Sequence, residues 1–231
     1  MTLLKNLRGV AMIYIPYVVL ERLKEYRKIL LNLDCEYVTS EEIAKLAGVS
    51  SDLVRRDFMY LKINGQKKKG YNRIALLTEL DETFAVKRNL NIIVVGGNRL
   101  GQALVTYDGF SSCGVRVVAI FDNNPENAGK FVEDLVILSL EPDILRRVIK
   151  RFSVSIAAVC VLPKDAQRVV DLLVENGIVG IWNFTPVKLA VPENVIVVDA
   201  DLTSSLLMLK RLVDTKVFQK SEASNAYTSQ E

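Results

Sequence analysis

The run Asn91-Ile92-Ile93-Val94-Val95 leads straight into Gly96-Gly97-Asn98-Arg99-Leu100-Gly101, and a second β-branched run, residues 115–121, ends on Asp122, Asn123, Asn124 and Pro125. Strand, glycine-rich turn, helix, strand and terminal acid is the order in which a dinucleotide is held. Backbone N–H groups at the helix start receive the pyrophosphate, and the acid accepts the hydroxyls of the adenosine ribose. A carboxylate at Asp122 repels a 2′-phosphate, which favours NAD over NADP. Asn98 occupies the position of the middle glycine, through which backbone and pyrophosphate come close. Asparagine tolerates a left-handed backbone and carries a donor for phosphate oxygen, so its side chain either turns aside and donates or holds the cofactor off the helix. A Rossmann-like domain that keeps this fold without binding a dinucleotide remains the alternative.

A second group of residues is basic. The formal net charge is only +3, but residues 1–80 carry 14 Lys and Arg against 9 Asp and Glu, whereas residues 81–231 carry 16 against 18. Between Val54 and Arg73 there are seven basic residues and one acid, a footprint suited to phosphates. Ala44, Gly48 and Val54 have the A-x3-G-x5-V spacing of a helix-turn-helix, in which a small residue lets two helices approach and glycine permits the turn. The second helix then turns Arg55, Arg56, Met59, Tyr60 and Lys62 outward, as a helix lying between two phosphate rails requires. A short turn from Asn64-Gly65 to Gly70 holds Lys67, Lys68 and Lys69 and reads as a wing.

Other chemistries are excluded by composition. Histidine is absent, which removes the commonest zinc ligand and the usual general base near neutral pH. Cys35, Cys113 and Cys160 are far apart, odd in number and set among apolar neighbours, which predicts reduced core thiols in a cytoplasmic protein and no metal site. Residues 10–20 are the most hydrophobic early run but fall short of the roughly 20 residues of a membrane span, and Pro16 interrupts them. They read as a buried arm and helix.

These residues need elements to hold them. Pro16 predicts a helix start with Val19, Leu23, Tyr26, Leu30 and Leu33 on one apolar stripe. Thr39 and Glu42 form a capping box for a second helix that Gly48 ends, and Ser50 or Ser51 starts a third. From Leu90 onward, β-branched runs at 91–95, 115–121, 156–162, 178–184 and 195–198 alternate with helical stretches or turns, the texture of a parallel sheet covered on both faces. The expected division is α/β, with a winged-helix domain at 1–82, a Rossmann-like domain at 83–203, an apolar helix at 204–218 and a disordered polar tail at 219–231.

The whole chain resembles the Rex family of redox-sensing transcriptional repressors, from about Ile15 to Leu209. The stretches that carry the resemblance are IPYVVLERL, VSSDLVRRDFMYL, the wing ending at Gly70 and Tyr71, RLGQAL with Tyr107, AIFDNNPENAGK, LPKDAQRVVDLLVENGIVGIWNFTP and VDADL. The resemblance implies a homodimer without catalytic activity that binds palindromic operator DNA and releases it when NADH, rather than NAD⁺, is bound. It places Ser51, Arg55, Arg56, Tyr60 and the wing lysines on DNA. Gly96 to Gly101, Asp122, Asn123, Leu162 and Pro163 fall on the dinucleotide and Tyr107 near the nicotinamide. Arg22 and Asp201 match a pair linking domains across the dimer, and the C-terminal helix is exchanged between subunits. Asn98, Lys68 and Asn64 depart from the pattern, where glycine, glycine and phenylalanine are usual. The readings from other classes are a DNA-binding paralogue that has lost NADH sensing and an NAD-dependent dehydrogenase, for which Tyr107, Lys164 and Cys160 could be assembled into an acid/base site.

Overall fold

The computed structural model describes residues 3–5, 11–84, 86, 89–201 and 203–215. The expected tail at 219–231 lies outside them. The chain forms two compact units, Met1–Arg88 and Asn89–Glu231.

In the first unit, β1 (Leu3–Lys5) pairs antiparallel with β2 (Ala11–Ile13). Pro16 caps α1 (Tyr17–Leu31) rather than forming its first residue, and its carbonyl accepts the amides of Val19 and Leu20. Of the apolar stripe on α1, Val19, Leu23, Tyr26 and Leu30 are buried. Leu33 lies past the helix end and is half-buried. The early run is not a buried arm throughout, because Tyr14, Tyr17 and Val18 point away from the core and are more than half exposed.

β3 (Tyr37–Val38) precedes α2 (Ser40–Ala47), which opens on the Thr39–Glu42 capping box and stops at Gly48, φ 68°. α3 (Ser51–Phe58) is capped by the Ser50 hydroxyl. β4 (Tyr71–Asn72) returns antiparallel to β3 and leads into α4 (Arg73–Thr83). Phe58 meets Tyr26 and Tyr71 edge-on, with ring centroids 5.8 and 4.9 Å away. With Ile43, Val54, Leu76 and Leu80 these rings close one core, where each fully buried side chain contributes about 1.5–3 kcal/mol.

The second unit runs β5 (Leu90–Val95), α5 (Arg99–Val105), α6 (Gly109–Ser112), β6 (Val115–Asp122), β7 (Phe131–Val132), β8 (Leu135–Ser139), α7 (Pro142–Phe152), β9 (Ile156–Val159), a 3-10 turn Pro163–Asp165, α8 (Ala166–Glu175), β10 (Gly180–Asn183) and β11 (Ile196–Asp199). Strand order is β11-β10-β9-β5-β6-β8-β7, parallel except for the β7–β8 pair. Alternation along β5 sends Ile93 and Val95 to one face, against Leu145, Val169 and Leu173 of α7 and α8. Val94 points to the other, with Ile120 and Leu104 of α5. Cys160 is buried as expected, but Cys113 sits exposed in the turn before β6 and Cys35 is half-buried, so only one of the three cysteines is a core thiol. Residues 204–215 are helical. Among the described residues no helix is long and apolar enough to cross a membrane, and no cluster of His, Cys, Asp and Glu could hold a metal ion.

Candidate functional site

The strand order reverses between β5 and β9, and in open α/β sheets ligands bind in the crevice outside the carboxyl ends of such strands. Gly96 to Gly101 follows β5, and Cys160 to Pro163 follows β9, so these two segments form the lips of that crevice. Gly96 adopts φ 117°, and a Cβ on it would come within 2.6 Å of the Cys160 carbonyl oxygen. Both Gly96 and Gly97 are buried, while Asn98, Arg99, Leu162 and Pro163 are exposed along the opening.

Asn98 does not take the left-handed backbone its residue type allows. Its φ of −74° and ψ of 177° are extended, and it caps α5. Its Oδ1 accepts the amides of Leu100 at 3.0 Å and Gly101 at 3.1 Å, and its Nδ2 donates to the Cys160 carbonyl on the opposite lip. The side chain therefore occupies two of the amides at the helix start and latches the crevice. Among the described residues, the amides of Asn98 and Arg99 remain without a partner.

Asp122 is 6% exposed at the end of β6. Its Oδ2 accepts the Gly97 amide at 2.6 Å and the Asn127 side chain at 3.0 Å, and its Oδ1 accepts the Asn124 amide at 2.7 Å. Three donors compensate its burial, and of about four lone-pair sites on a carboxylate one on Oδ1 stays open to a hydroxyl. Asn123 beside it is half-buried. Burial pushes the Cys160 thiol up to about 12, so it is neither nucleophile nor acid/base group near neutral pH. Tyr107 is not brought to this crevice within the chain. It follows α5 and lines an open cavity of about 770 Å³ with Asn91, Phe110 and Arg116, beside the amino ends of β5 and β6.

On the first unit, α3 exposes Arg55 and Arg56 and half-buries Ser51, whereas Met59, exposed, and Tyr60, half-buried, follow its last residue instead of lying on the helix. Arg55 is not free. Its Nη1 donates to Ser40 Oγ at 3.0 Å and Glu41 Oε1 at 2.8 Å, and its Nη2 to Asp52 Oδ1 at 2.6 Å. The Arg55 guanidinium holds the Asp52 carboxyl below the usual carboxylate range. Exposed pairs of this kind are weak, so they orient Arg55 without locking it. The turn after α3 is closed by a single bridge, Gln66 to Gly70, instead of a ladder. Lys68 at its tip has φ 66°, the conformation the usual glycine adopts without strain. Lys67, Lys68 and Lys69 are exposed, and Lys69 stands 5.3 Å from the Tyr37 ring centre.

Arg22 and Asp201 have other partners within the chain. Arg22 pairs with Asp57 of α3, a buried acid that periodicity alone did not single out. Asp201 accepts the amides of Thr203 and Ser204 and both their hydroxyls, which hold its carboxyl well below the usual range, and so it caps the helix at 204–215.

A basic helix with a lysine turn on one unit, and a glycine turn at the switch point of a doubly wound sheet on the other, define a DNA-binding regulator governed by a nucleotide ligand. The family described as "Putative DNA-binding protein N-terminus" matches residues 14–58, and that described as "CoA binding domain" matches residues 87–187. Among curated proteins, the chain is 47% identical to the redox-sensing transcriptional repressor Rex 2 of Thermotoga maritima over 87% of this chain and 98% of that one. It is 34% identical to the redox-sensing transcriptional repressor Rex of Clostridium botulinum, over 87% and 96%. A crystal structure of RSP in complex with beta-NAD+ and operator DNA superimposes with a TM-score of 0.80 at 30% identity, covering 91% of this chain and 98% of that one. RSP in complex with beta-NADH gives 0.78 at 30% identity, over 90% and 99%. The chain belongs to the Rex family of redox-sensing transcriptional repressors.

Proposed function

We propose that the protein is a homodimeric repressor that binds operator DNA through α3 and the lysine turn and releases it when NADH occupies the crevice. The observation that carries this reading is the likeness, over nine-tenths of the chain, to one protein solved both with NAD⁺ and operator DNA and with NADH. The crevice fits a dinucleotide. The missing side chains at Gly96 and Gly101 let the turn pack on Cys160 and α5 pack on the turn, two amides and the Arg99 side chain lie at the opening, and Asp122 keeps a lone pair for a ribose hydroxyl. NADH carries a neutral nicotinamide ring and NAD⁺ a ring cation, so an apolar surface such as Leu162 and Pro163 distinguishes them. A difference in affinity between two dimer states is the requirement for a ligand to shift them, and release follows if one state takes the two recognition helices off successive major grooves about 34 Å apart. The site of action is cytoplasmic, with the DNA. Tyr107 reaches a nicotinamide only if a dimer completes the site. Titrating an operator-bound sample tests the whole reading: release by NADH and not NADPH supports it, and turnover of an alcohol or hydroxy acid selects a dehydrogenase instead.

The latch favours one competing reading, a DNA-binding relative that no longer senses NADH, because Asn98 fills two amides that would serve the pyrophosphate. Calorimetry of Asn98→Gly with NADH separates the two. Freeing both amides should tighten binding about tenfold, near 1.4 kcal/mol, the scale of one hydrogen bond to a charged group. As a cap, glycine costs only a few tenths of a kcal/mol against asparagine. Equal or weaker binding makes Asn98 itself a ligand, and no binding by either protein makes the crevice vestigial.

Lys68 offers a second check, on the DNA side. Lys68→Gly removes one positive charge per subunit and also removes a side chain from a left-handed backbone, a conformation that costs about 1 kcal/mol. Thermal unfolding should therefore shift upward while the slope of log K against log salt flattens by roughly two in a dimer, at about 0.9 per phosphate contact. An unchanged slope leaves the lysine merely solvated.

A further inference from the structure

Two adjacent arginines on α3 are held differently. Arg56 is exposed and makes no side-chain hydrogen bond or ion pair among the described residues. Arg55 reaches from α3 to the start of α2, where its Nη1 donates to Oγ of the buried Ser40 at 3.0 Å and to Glu41 Oε1 at 2.8 Å. Its Nη2 donates to Asp52 Oδ1, one turn back on α3, at 2.6 Å. Ser40 Oγ in turn donates to Glu41 Oε2 at 3.2 Å, so the hydroxyl ties the cation to one of its acids. Three of the five guanidinium donors are thereby committed, and the cluster sets one positive charge against two negative. Its own backbone amide, and then Arg55, hold the Glu41 carboxyl below the usual carboxylate range, and Arg55 does the same for Asp52, so both stay ionised near neutral pH. The two carboxylates are 65% and 74% exposed, on the surface that carries Arg55 itself.

A cluster of net negative charge is not drawn to a phosphate rail. For Arg55 to reach a phosphate it must leave both carboxylates, which then face the polyanion uncompensated. A base edge in the major groove differs, because it can take two guanidinium donors in one plane, and only a matching sequence presents such an edge at the right place. Exposed ion pairs are individually weak, so a fitting edge displaces them. We infer that Glu41 and Asp52 are specificity-determining residues, which withhold the charge of Arg55 from phosphates and yield it only to a base edge of the operator. Arg56, with no such partners, is the arginine that meets phosphate. This rests on the reading above that α3 lies against DNA. The use of such a restraint is competition: a genome offers roughly 10⁶–10⁹ non-specific sites, so occupancy follows the ratio of operator to non-specific affinity rather than operator affinity alone. Two acids that weaken the non-specific term raise that ratio without adding a contact to the operator.

The test uses a duplex selected from a random pool by the full-length wild type and a scrambled duplex of the same base composition. Affinity for each is measured over a range of salt, without NADH. The proteins compared are wild type and the double variant Glu41→Gln, Asp52→Asn, each also in an Arg55→Ala background. Both acids are exposed and both replacements keep the side-chain shape, so the fold is retained. In the double variant, affinity for the scrambled duplex should rise about tenfold and that for the selected duplex less than about threefold, which lowers their ratio at least threefold. On the scrambled duplex the slope of log K against log salt should steepen by roughly two in a dimer, at about 0.9 per phosphate newly contacted. In the Arg55→Ala background the same two replacements should move neither the ratio nor the slope, because the acids act through Arg55. Equal gains on both duplexes would make the carboxylates a diffuse surface charge and overturn the proposal. A fall in the ratio that persists without Arg55 would overturn it as well. If the wild type selects no duplex from the pool, the repressor reading itself fails, and the proposal falls with it.

Discussion

Replacing Gly101 by alanine is expected to abolish detectable NADH binding, with at least a hundredfold loss of affinity in calorimetry. A Cβ at this position would lie 1.8 Å from the Gly96 carbonyl oxygen, 3.0 Å from its carbon and 3.3 Å from Val94 Cγ1. The first two are backbone atoms of the turn that forms one lip of the crevice, so no side-chain rotation relieves the clash. α5 must lift off β5. That movement displaces Leu100 and Leu104 from the cluster they share with Val94, Ile120 and Ala158, and it misplaces the Asn98 and Arg99 amides together. Forcing atoms into a packed site costs typically 1–3 kcal/mol, and a backbone obstacle belongs at the upper end. At about 2–4 °C per kcal/mol for a chain of this size, thermal unfolding should fall by roughly 6–12 °C. Operator binding without NADH should persist, since the glycine turn and α3 belong to different compact units. Near wild-type NADH affinity in this variant would show that the turn has slack that its geometry denies.

Truncation after Asp201 should have an effect as large on the other function. The helix at 204–215 exposes Leu206, Leu207, Met208, Leu209, Leu212 and Val213, each at least half accessible in the single chain. Six such side chains, at about 1.5–3 kcal/mol each on full burial, represent on the order of 10 kcal/mol that a lone subunit leaves in water. Ile196 and Val198 on the edge strand β11 add to that unpartnered surface. A partner subunit is the expected cover. Sedimentation should show a dimer for the full chain and monomer or aggregate for the truncated protein, and operator affinity should drop at least a hundredfold because two half-sites are no longer bound as one linked event. A stable dimer with undiminished operator affinity would move the interface elsewhere.

Much of this fold is legible in the sequence. Strong local signals carried it: the Thr39–Glu42 capping box, the positive φ of Gly48, and β-branched runs that matched five of the six parallel strands. What escaped was settled by tertiary contacts. The β7–β8 hairpin turns at Glu133, φ 51°, where no glycine or asparagine announces it, and its strands are short and half exposed. Asp57 reads as one more charge on a basic helix, because only the approach of Arg22, 35 residues away, makes its burial tolerable. Nothing in the sequence marks Asn127, whose side-chain amide donates to Asp122. Asn98 was identifiable as a departure, but whether it would face the ligand or the helix depended on the Cys160 carbonyl, 62 residues on.

The Asn98 latch also bears on how much protein is available to respond. A glycine-rich turn whose helix start is satisfied only by a bound anion leaves open amides and a loose lip when the ligand is scarce, and such a segment opens locally and invites proteolysis. Here the side chain of Asn98 supplies those bonds from within. Of the four amides at this helix start, those of Leu100 and Gly101 are thereby satisfied without a ligand, and those of Asn98 and Arg99 stay open among the described residues. The expected consequence is a lifetime in the cell that depends less on the NADH pool than it would with glycine at this position, so that a change in that pool acts mainly on the arrangement of existing molecules.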